Sequence, residues 1–104
     1  MNKKRRNELT KLISRLETVD SILEKDELED IIFDLEEIRD EEEEAFDNMP
    51  ENLQGSWRGS ESEEAIDNMD SAIEALEDAC DEEDADEFED MISDAIGYIE
   101  DAAI

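Results

Sequence analysis

The chain has 104 residues, enough for one small domain, with 37 acids against nine bases and a formal net charge of −28. One cysteine and no histidine leave a zinc site without ligands and a Ser/His/Asp or Cys/His centre without its base. No apolar run is long enough to span a bilayer, and none follows the basic start as a signal peptide requires, so a cytoplasmic protein is expected.

The basic residues come first. Lys3, Lys4, Arg5, Arg6, Lys11 and Arg15 are six of the nine, and beyond Arg58 there are none. Charge of this sign repels nucleic acid and anionic membrane and attracts basic proteins. A nucleic-acid-binding arm at residues 3–15 is opposed by the field of the whole molecule. The plainer expectation is that these bases lie beside Glu87–Asp101 and set the direction of helix pairing.

Leu9, Leu12, Leu16, Val19 and Leu23 follow at alternating spacings of three and four, which predicts an amphipathic helix. The phase slips at residues 24–27, where Asp26 and Glu29 offer an N-cap and its capping-box acid. It resumes at Leu28, Ile31/Ile32, Leu35 and Ile38 and reaches Ala45, Phe46 and Met49. Such regular spacing argues against the disorder that high charge and few aromatics otherwise suggest.

The stretch DNMPENLQGSWRG, Asp47–Gly59, holds the only proline, the only tryptophan and two of the three glycines. Pro50 has no N–H and disfavours helix at Met49, so the first arm ends there. Ser56, or Ser60 with Glu63, supplies the next cap. Trp57 has two readings: a plug, with Leu53, over the open end of the apolar seam, or an exposed anchor for a partner.

Beyond the turn Ile66, Met69, Ile73, Leu76 and Cys80 form a second seam. Cys80 reads as a small core residue, or else as a free thiol able to crosslink two copies. A second slip falls at 81–84, with Asp84 and Glu87 as capping pair. Phe88, Met91/Ile92, Ala95/Ile96, Ile99 and Ala102/Ala103 close the pattern. Both slips lie about 28 residues from Gln54, level with each other in a chain that doubles back there.

The expected fold is all-α: a long antiparallel αα-hairpin, coiled-coil-like, in one acidic domain. Residues 1–48 form the first arm, 49–60 the turn and 61–104 the second arm. The arms either stay straight, about 65–70 Å long, or break at 24–27 and 81–84 into a four-helix bundle. A straight hairpin buries one thin seam and would dimerise into four helices.

The segments EEEEAFDNMPENLQGSWRG and EEAIDNMDSAIEALEDA resemble small acidic helical proteins encoded by phages and prophages. Asp47, Asn48, Pro50, Glu51, Leu53, Gln54, Ser56, Arg58 and Gly59 match that group's turn, over a resemblance spanning roughly residues 35–80. Position 57 would be polar in that pattern. The resemblance implies a helical hairpin, a phage origin and hence a host-cell cytoplasm; it implies no activity.

Chemistry is scarce. An EF-hand begun at Asp81 places Asp86 where glycine is needed and Ile92 where the final glutamate is needed; begun at Asp84 it offers Glu89 and Ala95. No metal, cofactor or catalytic residue is expected, and surface carboxylates lack the pocket that acid–base work needs. The protein is read as no enzyme.

Two acid rows are more informative. Asp30, Asp34, Glu37, Glu41 and Glu44 recur along the first arm, and Glu63, Asp67, Asp70, Glu74, Glu77 and Asp81 along the second. An ordinary solvated face mixes Glu with Lys, because like charges at i,i+4 destabilise a helix. Thirty-six acids along a straight hairpin of about 68 Å give a charge every ~1.9 Å, against ~1.7 Å in duplex DNA, over a length of ~20 base pairs. The leading expectation is therefore a DNA mimic of the anti-CRISPR or anti-restriction type, similar to those inhibitors in composition alone. It would block the basic groove of a nucleic-acid-binding defence protein through both rows. The alternative is an acidic helical scaffold, a homodimer included, that pairs through its apolar seam.

Overall fold

The computed structural model describes residues 1–19 and 25–103, which form α1 (Lys3–Glu17), α2 (Lys25–Asp47), a single turn α3 (Glu51–Gln54), α4 (Trp57–Asp81) and α5 (Ala85–Ala102). The chain is all-helical. Asn2 caps α1, its side-chain oxygen accepting from the Arg5 N–H at 2.8 Å. α2 is already helical at Lys25, so Asp26 lies inside its first turn and is not the cap expected; there, with Glu27, it meets the positive end of the helix dipole. The earlier part of that slip, through Glu24, lies outside the described residues.

The second slip is a true break. Asp84 caps α5, accepting from the N–H groups of Asp86 and Glu87. The reciprocal bond expected of Glu87 is made instead by Glu82, whose carboxylate accepts from the N–H groups of Glu83 and Asp84.

At the turn, the Gln54 amide donates to the carbonyls of Phe46 at 3.1 Å and Met49 at 3.2 Å, satisfying the orphaned end of α2. Ser56 stands at the N-cap of α4 but donates its hydroxyl to the Leu53 carbonyl and makes no side-chain cap, while Ser60 lies within the helix. Gly59 is buried against the backbone of Gln54.

This corrects the plug reading of Trp57, which is 69% exposed. The seam of α4 runs through positions 59, 62 and 66, where a glycine, a serine and an isoleucine are buried. Trp57 lies two residues before Gly59, on the opposite side of the helix. With Gln54's backbone already filling the end of the seam, the indole points to solvent.

Ion pairs and contacts define the packing. α1 runs back along α2, with Arg5 on Glu42 and Arg15 on Asp34. α2 and α4 are antiparallel, joined by Arg39–Asp70 and Glu42–Ser62. α4 packs extensively on α5 as well, and α1 packs on α5 as closely as on α2. Leu12, Leu16, Leu28, Leu35, Met69, Leu76, Phe88 and Ile99 lie in one core.

The helices therefore double back where a straight pair would continue. The molecule measures 47 × 20 × 18 Å, not the 65–70 Å of a straight pair, and corresponds to about 14 base pairs and not 20. The physical reason is burial: every described helix except the short α3 gains two neighbours for its apolar face, where a straight hairpin offers one.

Candidate partner-binding face

The two acid rows have different surroundings. On α2, Asp34 is bridged by Arg15 at 2.6 Å, and Glu37 and Glu41 line a groove shared with Lys11 and Arg15 of α1. Asp30 and Glu44 are exposed. α1 packs on α5 as well as on α2, but Arg5, Lys11 and Arg15 turn toward α2; the ion pairs that the bases of α1 make with described residues run to Glu8, Glu27, Asp34 and Glu42, and none to Glu87–Asp101. α2 packs against α1 and offers nearer carboxylates.

The row on α4 stays open. Glu63, Asp67, Asp70, Glu74, Glu77 and Asp81 are all exposed, and Arg39 bridges Asp70 at 2.8 Å. From Gly59 onward the chain contributes nineteen acids and no base, so the single base that α4 and α5 bring is Arg58, in the first turn of α4. Chain folding has sorted the charge: α1 partly neutralises α2, and the α4–α5 side is left strongly negative.

Net charge matters for a long-range field. Twenty-eight net negative charges along 47 Å give one per about 1.7 Å, or 1.8 Å when Asp20 and Glu24, outside the described residues, are omitted. Duplex DNA carries one per about 1.7 Å. On the same net basis a straight pair of about 68 Å would carry one charge per ~2.4 Å, so doubling back raises the linear density while shortening the molecule.

A buried polar layer went unread in the sequence. Glu42 is 2% exposed and accepts from Arg5 Nε at 2.8 Å and from the Ser62 hydroxyl at 2.7 Å, with the Met1 ammonium 3.6 Å away. Each of the three side chains stands on a seam, Arg5 four before Leu9, Glu42 four after Ile38 and Ser62 four before Ile66. An acid on the apolar phase of EEEEAF was the available signal. Among the described residues no buried side-chain polar atom lacks a partner, as a low-dielectric interior requires.

Repulsion shows in one titrating group. The carboxyl of Glu87 is held above the usual range, first by its hydrogen bond with Glu82 and then by the charges of Glu82 and Asp84. Such a group binds its proton at higher pH in the folded chain than in the unfolded one, so it adds stability as pH falls toward the ordinary glutamate value of about 4.3. Screening acts in the same direction. Raising NaCl from about 20 mM to about 500 mM shortens the Debye length from roughly 20 Å to roughly 4 Å. We expect the urea midpoint to rise across that change, and to be higher at pH 5.5 than at pH 7.5 in low salt. An equal or lower midpoint in high salt would show that self-repulsion is unimportant.

Cys80 is half-buried against the core, and burial, followed by the charge of Glu29, pushes its thiol up. That disfavours the reactive thiolate. No group of acids or cysteine among the described residues is arranged to hold a metal ion, and no described helix is long and apolar enough to cross a membrane. No family model, curated protein or solved structure matches this chain. The residues that carried the resemblance to phage proteins include Gln54, Ser56 and Gly59, which here build the turn.

Proposed function

We propose that this protein is a non-enzymatic inhibitor that presents a DNA-like charge to the basic groove of a nucleic-acid-binding protein, with its four long helices acting as one compact bundle. The observation that carries this reading is the sparsely neutralised α4–α5 side: an exposed row of six acids on one 25-residue helix, bridged only by Arg39 at Asp70 among the described residues, with no base in the chain after Arg58. Rigid helix spacing and a linear charge density near that of duplex DNA suit capture of a Lys/Arg groove through fast, salt-sensitive association. The row on α2, beside α1, plays the lesser part. A phage setting, with a host defence nuclease as target, rests on the resemblance of the turn.

The scaffold alternative used the apolar seam, and the seam is buried within one chain. It would have to work through the exposed Phe33, Leu53, Trp57 and Tyr98.

The test begins with host-cell proteins retained on the immobilised chain and eluted either by a salt gradient or by competing duplex DNA. A retained protein released by both is then assayed against variants. Neutralising Asp67, Asp70, Glu74 and Glu77 to Asn and Gln should weaken its binding at least about tenfold, ~1.4 kcal/mol, mainly in the association rate at low salt. Neutralising Glu17, Asp26, Glu36 and Glu51, exposed acids outside α4 and α5, should do much less. Equal binding by both quadruple variants, with no release by DNA, would reduce the acid row to a solvated surface.

A further inference from the structure

A shallow groove between α4 and α5 combines an aromatic and thioether floor with an acid rim. Tyr98, 40% exposed, Met91 and Ala75 form the apolar part, and Glu74, Asp78 and Asp94 stand around it. Glu74 also belongs to the exposed row of α4, so the groove opens directly beside that row. No basic residue lines it.

The groove between α2 and α4 is the natural comparison. Phe46 and Ile66 line it with Glu43, Asp47, Glu63 and Asp67, but Glu43 already holds Arg39. In the α4–α5 groove the three carboxylates have no such internal cation among the described residues.

We infer that the α4–α5 groove receives an arginine side chain of the basic partner, stacked on Tyr98 and bonded to the carboxylates of Glu74, Asp78 and Asp94. The inference rests on the partner being basic, as proposed above, and adds which cation it prefers and where. An aliphatic stem fits along Met91 and Ala75. A guanidinium is flat, weakly hydrated and able to bond a carboxylate through two N–H groups while lying on an aromatic face. Lysine's compact, strongly hydrated ammonium uses that combination less well. A mimic acting by charge alone would not distinguish the two. This groove gives it a reason to.

The probe is N-acetyl-arginine amide, with N-acetyl-lysine amide as the matched control, titrated at low salt into the ¹⁵N-labelled full chain. Saturable amide shifts concentrated at Glu74–Asp78 and Met91–Tyr98 are expected, with arginine bound about threefold more tightly than lysine. Tyr98→Leu keeps an apolar side chain at an already exposed position and should abolish most of that preference. Asp78→Asn with Asp94→Asn should weaken both probes. Shifts spread evenly over the acid surface, or equal affinity for the two probes, would overturn the inference. The DNA-competed partner separates it from the broader reading. If that partner loses affinity for the α4 row variant yet binds Tyr98→Leu like wild type, the arginine groove is wrong and the charge mimic stands.

Discussion

Gly59→Ala is expected to destabilise the protein by roughly 2–3 kcal/mol, the upper part of the range for a forced overpacking. A Cβ at this position would sit 1.9 Å from the Gln54 carbonyl oxygen and 2.5 Å from its carbon. The obstacle is backbone, so no side-chain rotation relieves it. Either α3 moves away from α4 or the first turn of α4 unwinds, and both disturb the Gln54 amide that satisfies the end of α2. For a chain of this size the loss corresponds to a fall in Tm of about 10–20 °C. Gly97→Ala is the control with opposite sign. Gly97 lies inside α5, nothing stands within 4 Å of an added Cβ, and alanine's helix preference should add about 0.5–1 kcal/mol. Thermal melts of the two variants check both halves, and a neutral Gly59→Ala would mean that the close approach of α3 to α4 is dispensable.

Glu42→Ala is expected to lose about 2–4 kcal/mol, because it strands a largely buried guanidinium and a buried hydroxyl. Arg5 keeps 16% of its side-chain exposure and can turn partly to water, which holds the loss below that of a wholly enclosed ion. The informative companion is Arg5→Met with Glu42→Met and Ser62→Ala. Filling the layer with apolar groups should recover most of the stability, since a buried ion pair and a well-packed apolar replacement are often near equal. Urea midpoints of the single and triple variants decide it. If the triple is as unstable as the single, the layer contributes stability that packing cannot replace. A single variant within about 0.5 kcal/mol of wild type would show the layer to be wet and weak.

Helical class, the central reversal and the break before Asp84 were legible in the sequence because each is a local property. Apolar spacing reports which face of a helix is buried, proline and glycine mark the turn, and a capping aspartate marks a start. The net charge and the absence of bases after Arg58 were likewise fixed by composition. What spacing left open was whether the arms run straight, because one seam serves a long hairpin and a doubled-back chain equally. That choice depends on how many neighbours each apolar face acquires. The same gap concealed Ala72 and Ala79, fully buried where Ile73 and Cys80 were expected to lead. α4 lies against both α2 and α5, so its buried arc is wider than one seam, and small residues allow the close approach. Nothing local sets Glu42 apart from its acidic neighbours, because its burial depends on partners 37 residues before it and 20 after. The acid rows themselves were plain in the sequence. Which row the chain's own bases lie against was decided only by the tertiary packing, in which Arg5, Lys11 and Arg15 of α1 turn toward α2 and Arg39 alone bridges the row on α4.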